Sequence, residues 1–328
     1  MVSPTTGRQP VFSLIIPAHN EAGRIAHALP RYLDAFADGE VIVVCNGCTD
    51  DTAAVTREAA GERDNLRIIE IDHAIGKGGA VRAGFLAARA PVVGYVDADG
   101  ATPSYEARRL FESVQGNIDG VIGSRWSPGA QVTVAQPFLR RLASRAFNAL
   151  VRLLFGLPFH DTQCGAKAFR ASAIAEVSQV LETANFAFDI DLLYAMRRHL
   201  HRVIEVPIEW RDVDGSRLDL RRASGKMFVA IVRLRLRYSI FRYLIPLLDR
   251  FWPTRPLRVR HGLRILFLNW RDPKHPQAGG AERYLHEVGK CLVARGHRVE
   301  WLTAGFPGCT HRDSIDGMGV TRVGNRVS

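Results

Sequence analysis

The sequence has no uninterrupted apolar run of the length that a membrane-spanning helix needs. Such a helix takes about 18 consecutive apolar residues, and polar or charged residues interrupt every long apolar stretch of the 328 residues. The first residues, 1–6, also lack the basic and then apolar pattern of a secretory signal peptide. We therefore expect neither a transmembrane helix nor export.

Cysteine is scarce, and its five residues are scattered along the chain. An odd, scattered set argues against a disulfide framework and indicates a reducing compartment. Two of the five form the pattern Cys45-Asn46-Gly47-Cys48, which could be a redox pair or half of a zinc site. Because no second Cys/His pair at zinc-like spacing is near, a turn between a strand and a helix is the favoured interpretation.

Acidic residues are scarce in only one part of the chain. Residues 1–120 carry 11 Lys/Arg against 16 Asp/Glu, whereas residues 121–260 carry 23 against 11. The extreme is 221–260, with eleven basic residues and one acidic residue among many aromatic and aliphatic ones. Long Arg side chains in an apolar bed can reach phosphate head groups, and single-stranded nucleic acid is the other partner of such a pattern. The first half has nothing else expected of a nucleic-acid-binding protein, so we predict a membrane surface as the partner and no nucleic acid.

Apolar strands and amphipathic helices alternate through the first half of the chain, which is typical of parallel strands joined by crossover helices. Strands are predicted at 11–16, 40–44, 66–71, 92–96 and 120–123, and helices at 22–36, 51–60, 80–88 and 104–114. We expect an α/β fold with a Rossmann-like, mixed but mostly parallel sheet flanked by helices over 1–220. A basic amphipathic membrane-associating segment and a linker should follow over 221–257, and a partial Rossmann-like fragment over 258–328.

The segment 137–155 is predicted to form an amphipathic helix. Its residues Arg141, Arg145, Asn148 and Arg152 follow i, i+4, i+7, i+11 spacing and therefore share one stripe. This stripe could be the solvated edge of a core helix, or it could lie at a lipid surface or beside a phosphate. The sequence leaves both interpretations open.

The strand at 92–96 runs into two carboxylates, Asp97 and Asp99. Ligands collect at the carboxyl ends of strands in open α/β sheets, and i, i+2 spacing on extended backbone would aim both side chains the same way. Two converging carboxylates repel each other unless a cation lies between them, and Mg²⁺ or Mn²⁺ prefers oxygen ligands shared with substrate phosphates. The alternative is an Asp-rich turn without a ligand.

A glycine-rich turn, Gly76-Lys77-Gly78-Gly79, precedes a predicted helix. Backbone N–H groups and a lysine before a helix form an anion site, although the spacing is not that of a Walker loop. Together with the downstream pair Asp97 and Asp99, the turn predicts a diphosphate beside a metal ion. That is the requirement for binding a nucleotide-sugar donor.

Several ordered motifs resemble a known family. The residues Leu14-Ile15-Ile16-Pro17-Ala18-His19-Asn20-Glu21 resemble the N-terminal signature of family 2 glycosyltransferases, which have the GT-A fold. The resemblance narrows to dolichyl-phosphate β-glucosyltransferases and related polyprenyl-phosphate glycosyltransferases through these further matches: Gly76-Lys77-Gly78-Gly79-Ala80-Val81-Arg82, Asp97-Ala98-Asp99-Gly100-Ala101-Thr102-Pro103, Gly123-Ser124-Arg125, Asp161-Thr162-Gln163-Cys164-Gly165 with Lys167, and Phe188-Asp189-Ile190-Asp191-Leu192-Leu193-Tyr194. The similar region covers residues 10–245.

The resemblance implies a donor side of the site. Asp97 and Asp99 would hold Mg²⁺ or Mn²⁺ and the diphosphate. The nucleotide sugar would be lined by Pro17, Ala18, Asn20, Glu21, Asn46, Gly76, Lys77, Asp97, Ala98, Asp99 and Gln163. The family usually has Asp-Asp-Gly-Ser where this chain has Cys45-Asn46-Gly47-Cys48, so a carboxylate that could bind the base is missing. The choice between uracil and guanine stays open for this reason.

The resemblance also implies an acceptor side. Arg125 would lie near the acceptor phosphate, together with Arg141 and Lys167. Asp189 and Asp191 occupy a position where a carboxylate could bind sugar hydroxyls, and they join Asp97, Asp99 and Arg125 as candidate catalytic residues. Asp161 would line the sugar or phosphate side of the cleft. For Asp161 and Asp189 the alternative is helix capping or an internal ion pair.

The implied activity is inverting transfer of a hexose to a polyprenyl or dolichyl phosphate. The motif Asp161-Thr162-Gln163-Cys164-Gly165 favours glucose from UDP-glucose, with GDP-mannose as the alternative donor and a soluble or glycan acceptor as the alternative acceptor. An alternative of another class is a non-catalytic protein that binds anionic lipid. The enzyme would be peripheral, on the cytoplasmic side of the membrane, and its oligomeric state is open.

The last part of the chain resembles a different family. The residues Ile265-Leu266-Phe267-Leu268-Asn269, Gly279-Gly280-Ala281-Glu282-Arg283 and Gly296-His297-Arg298-Val299 are similar to the start of a family 4 glycosyltransferase of GT-B fold. Strands are predicted at 263–268 and 298–302 and a helix at 281–295. We expect a truncated front of a fused domain without catalysis of its own.

Overall fold

The computed structural model describes residues 9–133, 138–181, 183, 187–211, 220–245, 264–294 and 298–324. Backbone contacts divide the chain into two compact units, Met1–Arg258 and Val259–Ser328. The described part of the predicted membrane-associating segment, 221–245, thus belongs to the first unit. The three-part division of the chain stays a prediction.

A seven-stranded sheet is the centre of the first unit. Its strands in chain order are β1 (Phe12–Ala18), β2 (Glu40–Asn46), β3 (Leu66–Ile71), β4 (Val92–Tyr95), β5 (Gly120–Ser124), β7 (Lys167–Arg170) and β8 (Val203–Pro207), while β6 (Gln131–Val132) and β9 (Glu209–Trp210) form a separate two-stranded ribbon. The strand order is β3-β2-β1-β4-β7-β5-β8, and only β7 runs antiparallel to its neighbours. The predicted mixed but mostly parallel α/β sheet is confirmed.

Helices cover both faces of this sheet. They are α1 (Ala22–Ala35), α2 (Thr52–Ala60), α3 (Gly76–Ala87), α4 (Ser104–Glu112), α5 (Phe138–Phe155), α6 (Ala171–Val177), α7 (Phe188–Arg198) and α8 (Leu220–Arg237). Leu14 and Ile16 of β1 pack with α1 and α4, whereas Ile15 packs with α3 and α7. Because both faces are buried, the central strands are continuous apolar runs instead of alternating patterns.

Two predicted features near the site are corrected by the structure. Strand β4 ends at Tyr95, so Asp97 and Asp99 lie in the following turn and not on extended backbone. Their side-chain directions are therefore set by the turn and not by the pleat of a strand. Helix α3 begins at Gly76, so the glycine-rich residues 76–79 form its first turn instead of a loop before it.

The stripe predicted on α5 is split by the structure. Asn148 is 2% exposed, and its Oδ1 accepts hydrogen bonds from the backbone N–H and the hydroxyl of Thr162, at 3.0 and 2.8 Å. Arg145 and Arg152 are exposed, and the side chain of Arg141 lies outside the described residues. Asn148 thus lies on the buried side of the stripe, where it binds Thr162, while Arg145 and Arg152 keep the solvated side.

Helix α8 packs against α5 and is followed by a short 3₁₀ helix, Arg242–Leu244. Ile231 and Leu234 are buried, whereas Ile240 and Tyr243 are 82% and 67% exposed. In the described ranges no helix combines the length and the apolar character needed to cross a bilayer. The linker predicted within 221–257, at Trp252-Pro253-Thr254-Arg255-Pro256, lies outside those ranges.

In its described residues, 264–294 and 298–324, the second unit is a four-stranded sheet with one helix. Its elements are β10 (Arg264–Leu268), α9 (Gly280–Ala294), β11 (Arg298–Ala304), β12 (Arg312–Ile315) and β13 (Met318–Val323). Strands β10, β11 and β13 are parallel neighbours, and β12 forms an antiparallel hairpin with β13. The predicted helix and the first two strands are confirmed. The hairpin was not predicted, because β12 has only four residues and three of them are polar.

Candidate active site

The carboxyl ends of three neighbouring parallel strands bring the donor motifs together. Strand β1 lies between β2 and β4, and the three lead into the turns at Asn20, Asn46 and Asp97. Strands that run in the same direction end at the same edge of a sheet. Four motifs from separate parts of the chain, counting the first turn of α3, therefore face one crevice.

Asp97 is held between a lysine and a glycine. Its Oδ1 lies 2.8 Å from Nζ of Lys77, and its side chain is 42% exposed. A Cβ on Gly165 would lie only 1.9 Å from Oδ2, so only glycine leaves room for this carboxylate. Burial lowers the pKa of Lys77, but the charges of Asp97 and Asp189 outweigh it and raise that pKa above its ordinary value. Lys77 therefore stays a cation at neutral pH.

Asp99 is half-buried next to Asp97. Its Oδ1 accepts a hydrogen bond from the backbone N–H of Ala101 at 3.0 Å. Burial and then the neighbouring charge of Asp97 raise the pKa of Asp99 above its ordinary value of 3.8. The two carboxylates thus repel each other, which a divalent cation would relieve.

The donor set fits Mg²⁺ or Mn²⁺. Asp97 and Asp99 offer hard carboxylate oxygens, which these ions prefer. Within the described ranges, no group of three or more His, Cys, Asp or Glu side chains is arranged to hold a metal ion. Protein ligands from this part of the chain would therefore leave coordination positions for substrate phosphates, as is usual for Mg²⁺.

The side chain of Asn46 accepts a hydrogen bond from the backbone next to the glycine-rich turn. Asn46 is 4% exposed, its Oδ1 accepts a hydrogen bond from Ile75 N–H at 2.7 Å, and its backbone oxygen lies 2.7 Å from Nδ1 of His19. The residue thereby fixes the end of β2 to the start of α3. The place of Asn46 near the base stays a prediction, and the contact that the structure shows is with the residue before the glycine-rich turn.

Other predicted donor residues belong to the same turn network. Asn20 adopts φ of 56° and its Oδ1 accepts a hydrogen bond from Thr49 N–H at 2.8 Å. Glu21 forms an ion pair with Arg24 at 3.0 Å. Asp50, which sequence analysis did not select, accepts a hydrogen bond from Ala22 N–H at 3.3 Å and supplies a carboxylate four residues after Asn46.

A buried charge network of residues predicted on the acceptor side reaches the donor residue Lys77. Lys167 is completely buried, and its Nζ lies 2.6 Å from Oδ1 of Asp189. The Tyr95 hydroxyl donates to the same oxygen, and Lys77 Nζ lies 3.8 Å from the other oxygen. Burial raises the pKa of Asp189, but Lys167 and Lys77 lower it further than that, so the carboxylate stays ionised. The internal ion pair that sequence analysis kept as the alternative for Asp189 is present.

Arg125 forms a two-pronged ion pair with Asp161. Its Nε and Nη2 lie 2.7 and 2.9 Å from the two carboxylate oxygens, and Asp161 is fully buried. The guanidinium lies 5.3 Å from the ring centre of Trp210. Burial lowers the pKa of Arg125, and the charge of Asp161 raises it above its usual value. Much of the positive charge of Arg125 is thus neutralised inside the protein.

Next to this pair are groups with unused hydrogen-bonding capacity. Trp126 Nε1 and Gln163 Nε2 are buried donors for which the described residues supply no acceptor. The guanidinium of Arg145 lies 5.2 Å from the ring centre of Trp126, and Arg145 is exposed. Orphaned donors beside a cation suit a ligand rich in oxygen acceptors.

Asp191 connects two helices in this structure. It is buried, and it accepts hydrogen bonds from Thr183 N–H at 3.1 Å and from the Tyr238 hydroxyl at 2.7 Å. Burial and the charge of Asp191 raise the pKa of Tyr238 well above its ordinary value. The contact joins α7 to the end of α8.

Gly165 and Tyr95 were not predicted as site residues, and Arg145 was predicted only as a member of the stripe on α5. Gly165, Tyr95 and Arg145 each contact a predicted site residue or its neighbour. Gly165 ends a quoted motif, so its close approach to a carboxylate had a signal in the sequence. Tyr95 had no such signal, because in the sequence it is one more residue of the apolar run that forms β4.

Comparisons with known proteins agree with this geometry. The family model "Glycosyl transferase family 2" matches residues 13–178. The chain is 36% identical over 64% of its length to the glycosyltransferase AglD of Haloferax volcanii, of which it spans 34%. It is 31% identical over 70% of its length to the dolichyl-phosphate beta-glucosyltransferase of Dictyostelium discoideum, of which it spans 75%.

A solved structure shares the fold. Glucosyl-3-phosphoglycerate synthase from Mycobacterium tuberculosis, in complex with Mn²⁺, uridine diphosphate and phosphoglyceric acid, superposes with a TM-score of 0.53 at 18% identity, over 70% of this chain and 78% of that one. The match to the family model and the relative from Dictyostelium show that the chain belongs to glycosyl transferase family 2.

Proposed function

We propose that this glycosyltransferase moves a hexose from a nucleotide sugar to a polyprenyl phosphate, as a peripheral protein on the cytoplasmic side of the membrane. The observation that carries the proposal is the cluster of Asp97, Asp99 and Lys77 at the carboxyl end of β4 and the start of α3. Carboxylates for a metal ion and a lysine for phosphate stand there side by side. The name of the Dictyostelium relative supplies the class of acceptor.

The chain's own residues would bind and orient the donor. Asp97 and Asp99 would hold Mg²⁺ or Mn²⁺, which neutralises the charge that develops on the leaving diphosphate. Lys77 and the N-terminus of α3 would bind the diphosphate oxygens. An acceptor oxygen forms the bond to C1 of the sugar while the bond from C1 to the diphosphate breaks, and the electron pair leaves with the diphosphate. Direct displacement turns an α-linked donor into a β-linked product.

A phosphate monoester is a suitable acceptor for this site because it needs no strong general base. Its oxygen is already anionic at neutral pH, so the protein has to hold it in line with C1. Arg145 would supply the cation, with Arg125 near the same Trp126 ring. Trp126 Nε1 would supply a hydrogen-bond donor. Arg141 is a further candidate on the same helix.

Glucose from UDP-glucose is the proposed donor. Gln163 has a buried amide N–H without an acceptor among the described residues, and it lies in the motif that favours glucose. Asp189 lies 3.8 Å from Nζ of Lys77, and it would orient the sugar of the donor by holding that lysine in place. GDP-mannose is the alternative donor, and a soluble glycan is the alternative acceptor.

The decisive experiment combines a donor panel with one variant. Purified protein is given UDP- and GDP-sugars with a short polyprenyl phosphate, with and without EDTA. We expect transfer from UDP-glucose that EDTA abolishes and that Asp97→Ala removes, whereas Asp34→Ala, which changes an exposed carboxylate on α1, keeps it. Undiminished transfer by Asp97→Ala would contradict the metal site, and no transfer by the wild type would favour a lipid-binding protein without catalysis.

Membrane binding is proposed to use the exposed apolar residues after α8. Ile240, Phe241 and Tyr243 are 82%, 48% and 67% exposed, and the arginines of α8 stand close before them in the chain. Apolar side chains next to basic ones suit an anionic bilayer surface. We expect Ile240→Ser with Phe241→Ser to reduce co-sedimentation with vesicles that contain anionic lipid, while Leu200→Ser, at a residue 92% exposed elsewhere, leaves it unchanged. Equal loss in both variants would contradict a specific docking surface.

The second unit is proposed to be the opening of a GT-B-like domain. Its β10–α9–β11 order and three parallel strands support a Rossmann-like unit. We assign no catalysis to it. Deleting residues 259–328 should therefore leave transfer by the first unit within about twofold of the full chain, a change too small to reflect loss of a catalytic group.

A further inference from the structure

We infer that Lys77 serves as the counter-ion of Asp97 when no metal is bound, and that it competes with the divalent cation for this carboxylate. The inference rests on the proposed donor site. Its consequence is that the metal ion and the nucleotide diphosphate bind cooperatively, so that each strengthens the binding of the other. Lys77 is the residue that couples them. The metal-site residues themselves are part of the proposed function, and the new element is the role of the lysine.

The position of Lys77 is fixed by packing. It is the second residue of α3, and the next residue, Gly78, lies so close to Phe188 that a Cβ there would be 2.5 Å from the Cβ of Phe188. The helix start therefore cannot shift outward without losing this contact. The ammonium group lies 2.8 Å from Oδ1 of Asp97 and its side chain is 19% exposed. A cation thus already stands at one of the two carboxylates.

Other groups also lie close to one oxygen of each carboxylate. Oδ2 of Asp97 faces the backbone of Gly165, and Oδ1 of Asp99 accepts the N–H of Ala101. A metal ion that binds without nucleotide would face Lys77 at short range and would lack a third side-chain ligand in the described part of the chain. Repulsion between the two cations should make that binding weak.

A diphosphate changes this balance. It brings negative charge to the N-terminus of α3, where Lys77 can exchange Asp97 for phosphate oxygens. Asp189, 3.8 Å from Nζ, keeps the ammonium group nearby during the exchange. The freed carboxylate and the phosphates then serve the metal ion together. Because such coupling is reciprocal, the metal must strengthen nucleotide binding by the same factor.

The test measures Mn²⁺ binding directly by electron paramagnetic resonance, with and without UDP. The wild type should bind Mn²⁺ weakly alone and much more tightly with UDP. In Lys77→Met we expect Mn²⁺ alone to bind about tenfold more tightly and the gain from UDP to shrink by about tenfold, within the range usual for coupled sites. Lys77→Arg, which keeps the charge, should behave like the wild type. The control Lys290→Met removes an exposed lysine of the second unit and should change neither value.

Each other result has a distinct meaning. Mn²⁺ binding to Lys77→Met that is unchanged or weaker than in the wild type overturns the competition, because the lysine would then support the metal or ignore it. A wild type that binds no Mn²⁺ even with UDP overturns the proposed metal site itself. Equal effects of Lys77→Met and Lys290→Met on Mn²⁺ affinity would mean that only the net charge of the protein matters. That result would also overturn the inference.

Discussion

The donor side and the acceptor side of the site hold their charged residues in opposite ways. On the donor side Asp97 is 42% exposed and Lys77 19%, and the two pair with each other. On the acceptor side Asp161 and Lys167 are fully buried, and each is paired with a residue from a distant segment. The first arrangement leaves charge available to a ligand, whereas the second uses charge to join segments.

Residues of the family motifs therefore have two different roles, ligand binding and the joining of segments. The buried pairs Arg125–Asp161 and Lys167–Asp189 join β5 and α7 to the loop and strand around β7. A buried pair holds its segments together mainly because removal of one partner leaves an unpaired charge in the interior. Residues of both kinds stand in motifs that resemble the same family. We nevertheless expect substitutions of the first kind to reduce catalysis and substitutions of the second kind to reduce stability.

The largest expected effect is on catalysis at the donor side. Asp99→Asn should reduce transfer by about a thousandfold or more, since it weakens both metal binding and charge stabilisation of the leaving group. The fold should persist, because the substitution adds no unpaired charge to the interior. Steady-state kinetics and a thermal melt measure the two quantities. Loss of transfer together with a collapsed melt would break the contrast between the two sides.

The next effect is on stability at the acceptor side. Lys167→Met leaves Asp189 buried and ionised, and such a change costs about 3–5 kcal/mol in free energy of unfolding. The matched variant Lys77→Met removes a lysine whose nearest partner, Asp97, is 42% exposed, so it should cost clearly less than Lys167→Met. Urea denaturation of both variants measures the difference. If they were equally stable, burial would not be what distinguishes the two lysines.

A smaller effect should follow from filling the space beside Asp97. In Gly165→Ala the new Cβ would meet Oδ2 of Asp97, so the carboxylate has to move. We expect transfer to fall about tenfold to a hundredfold, as is common when a catalytic group is displaced by about 1 Å. Gly23→Ala on α1 is the control, because a Cβ there meets nothing within 4 Å and alanine favours a helix. Comparable losses in both would count against the close contact.

The sequence predicted what is local and missed what depends on distant partners. The alternation of apolar strands and helices was enough to predict β1 to β5 and their order along the chain. The motifs predicted that Asp97, Asp99 and Lys77 lie close together, and Lys77 does pair with Asp97. The antiparallel insertion of β7 between β4 and β5 was not predicted, since nothing in four residues specifies their neighbours. The partner of Arg125 lies 36 residues away, so motif spacing could not assign it.

The smallest expected effect is a stability difference that depends on pH and sharpens the assignment of Asp99. Burial and the charge of Asp97 raise the folded-state pKa of Asp99 above the ordinary value of 3.8, while Arg24 and Lys77 only partly offset this. The folded protein therefore binds this proton more tightly than the unfolded chain. Ionised Asp99 destabilises the fold above its folded pKa, and this cost disappears as pH falls through that pKa toward 3.8.

Asp99→Asn removes that cost, so in EDTA at pH 7 its melting temperature should exceed that of the wild type by roughly 1–3 °C. The gain should vanish in acid, where the wild-type carboxyl is protonated as well. Asp189, whose pKa is lowered, loses its stabilising effect in acid in both proteins, so it cancels from the comparison. Melting curves of both proteins across this pH range check the sign. A variant less stable than the wild type at pH 7 without metal would mean that Asp99 supports the fold, as the buried acids of the acceptor side do.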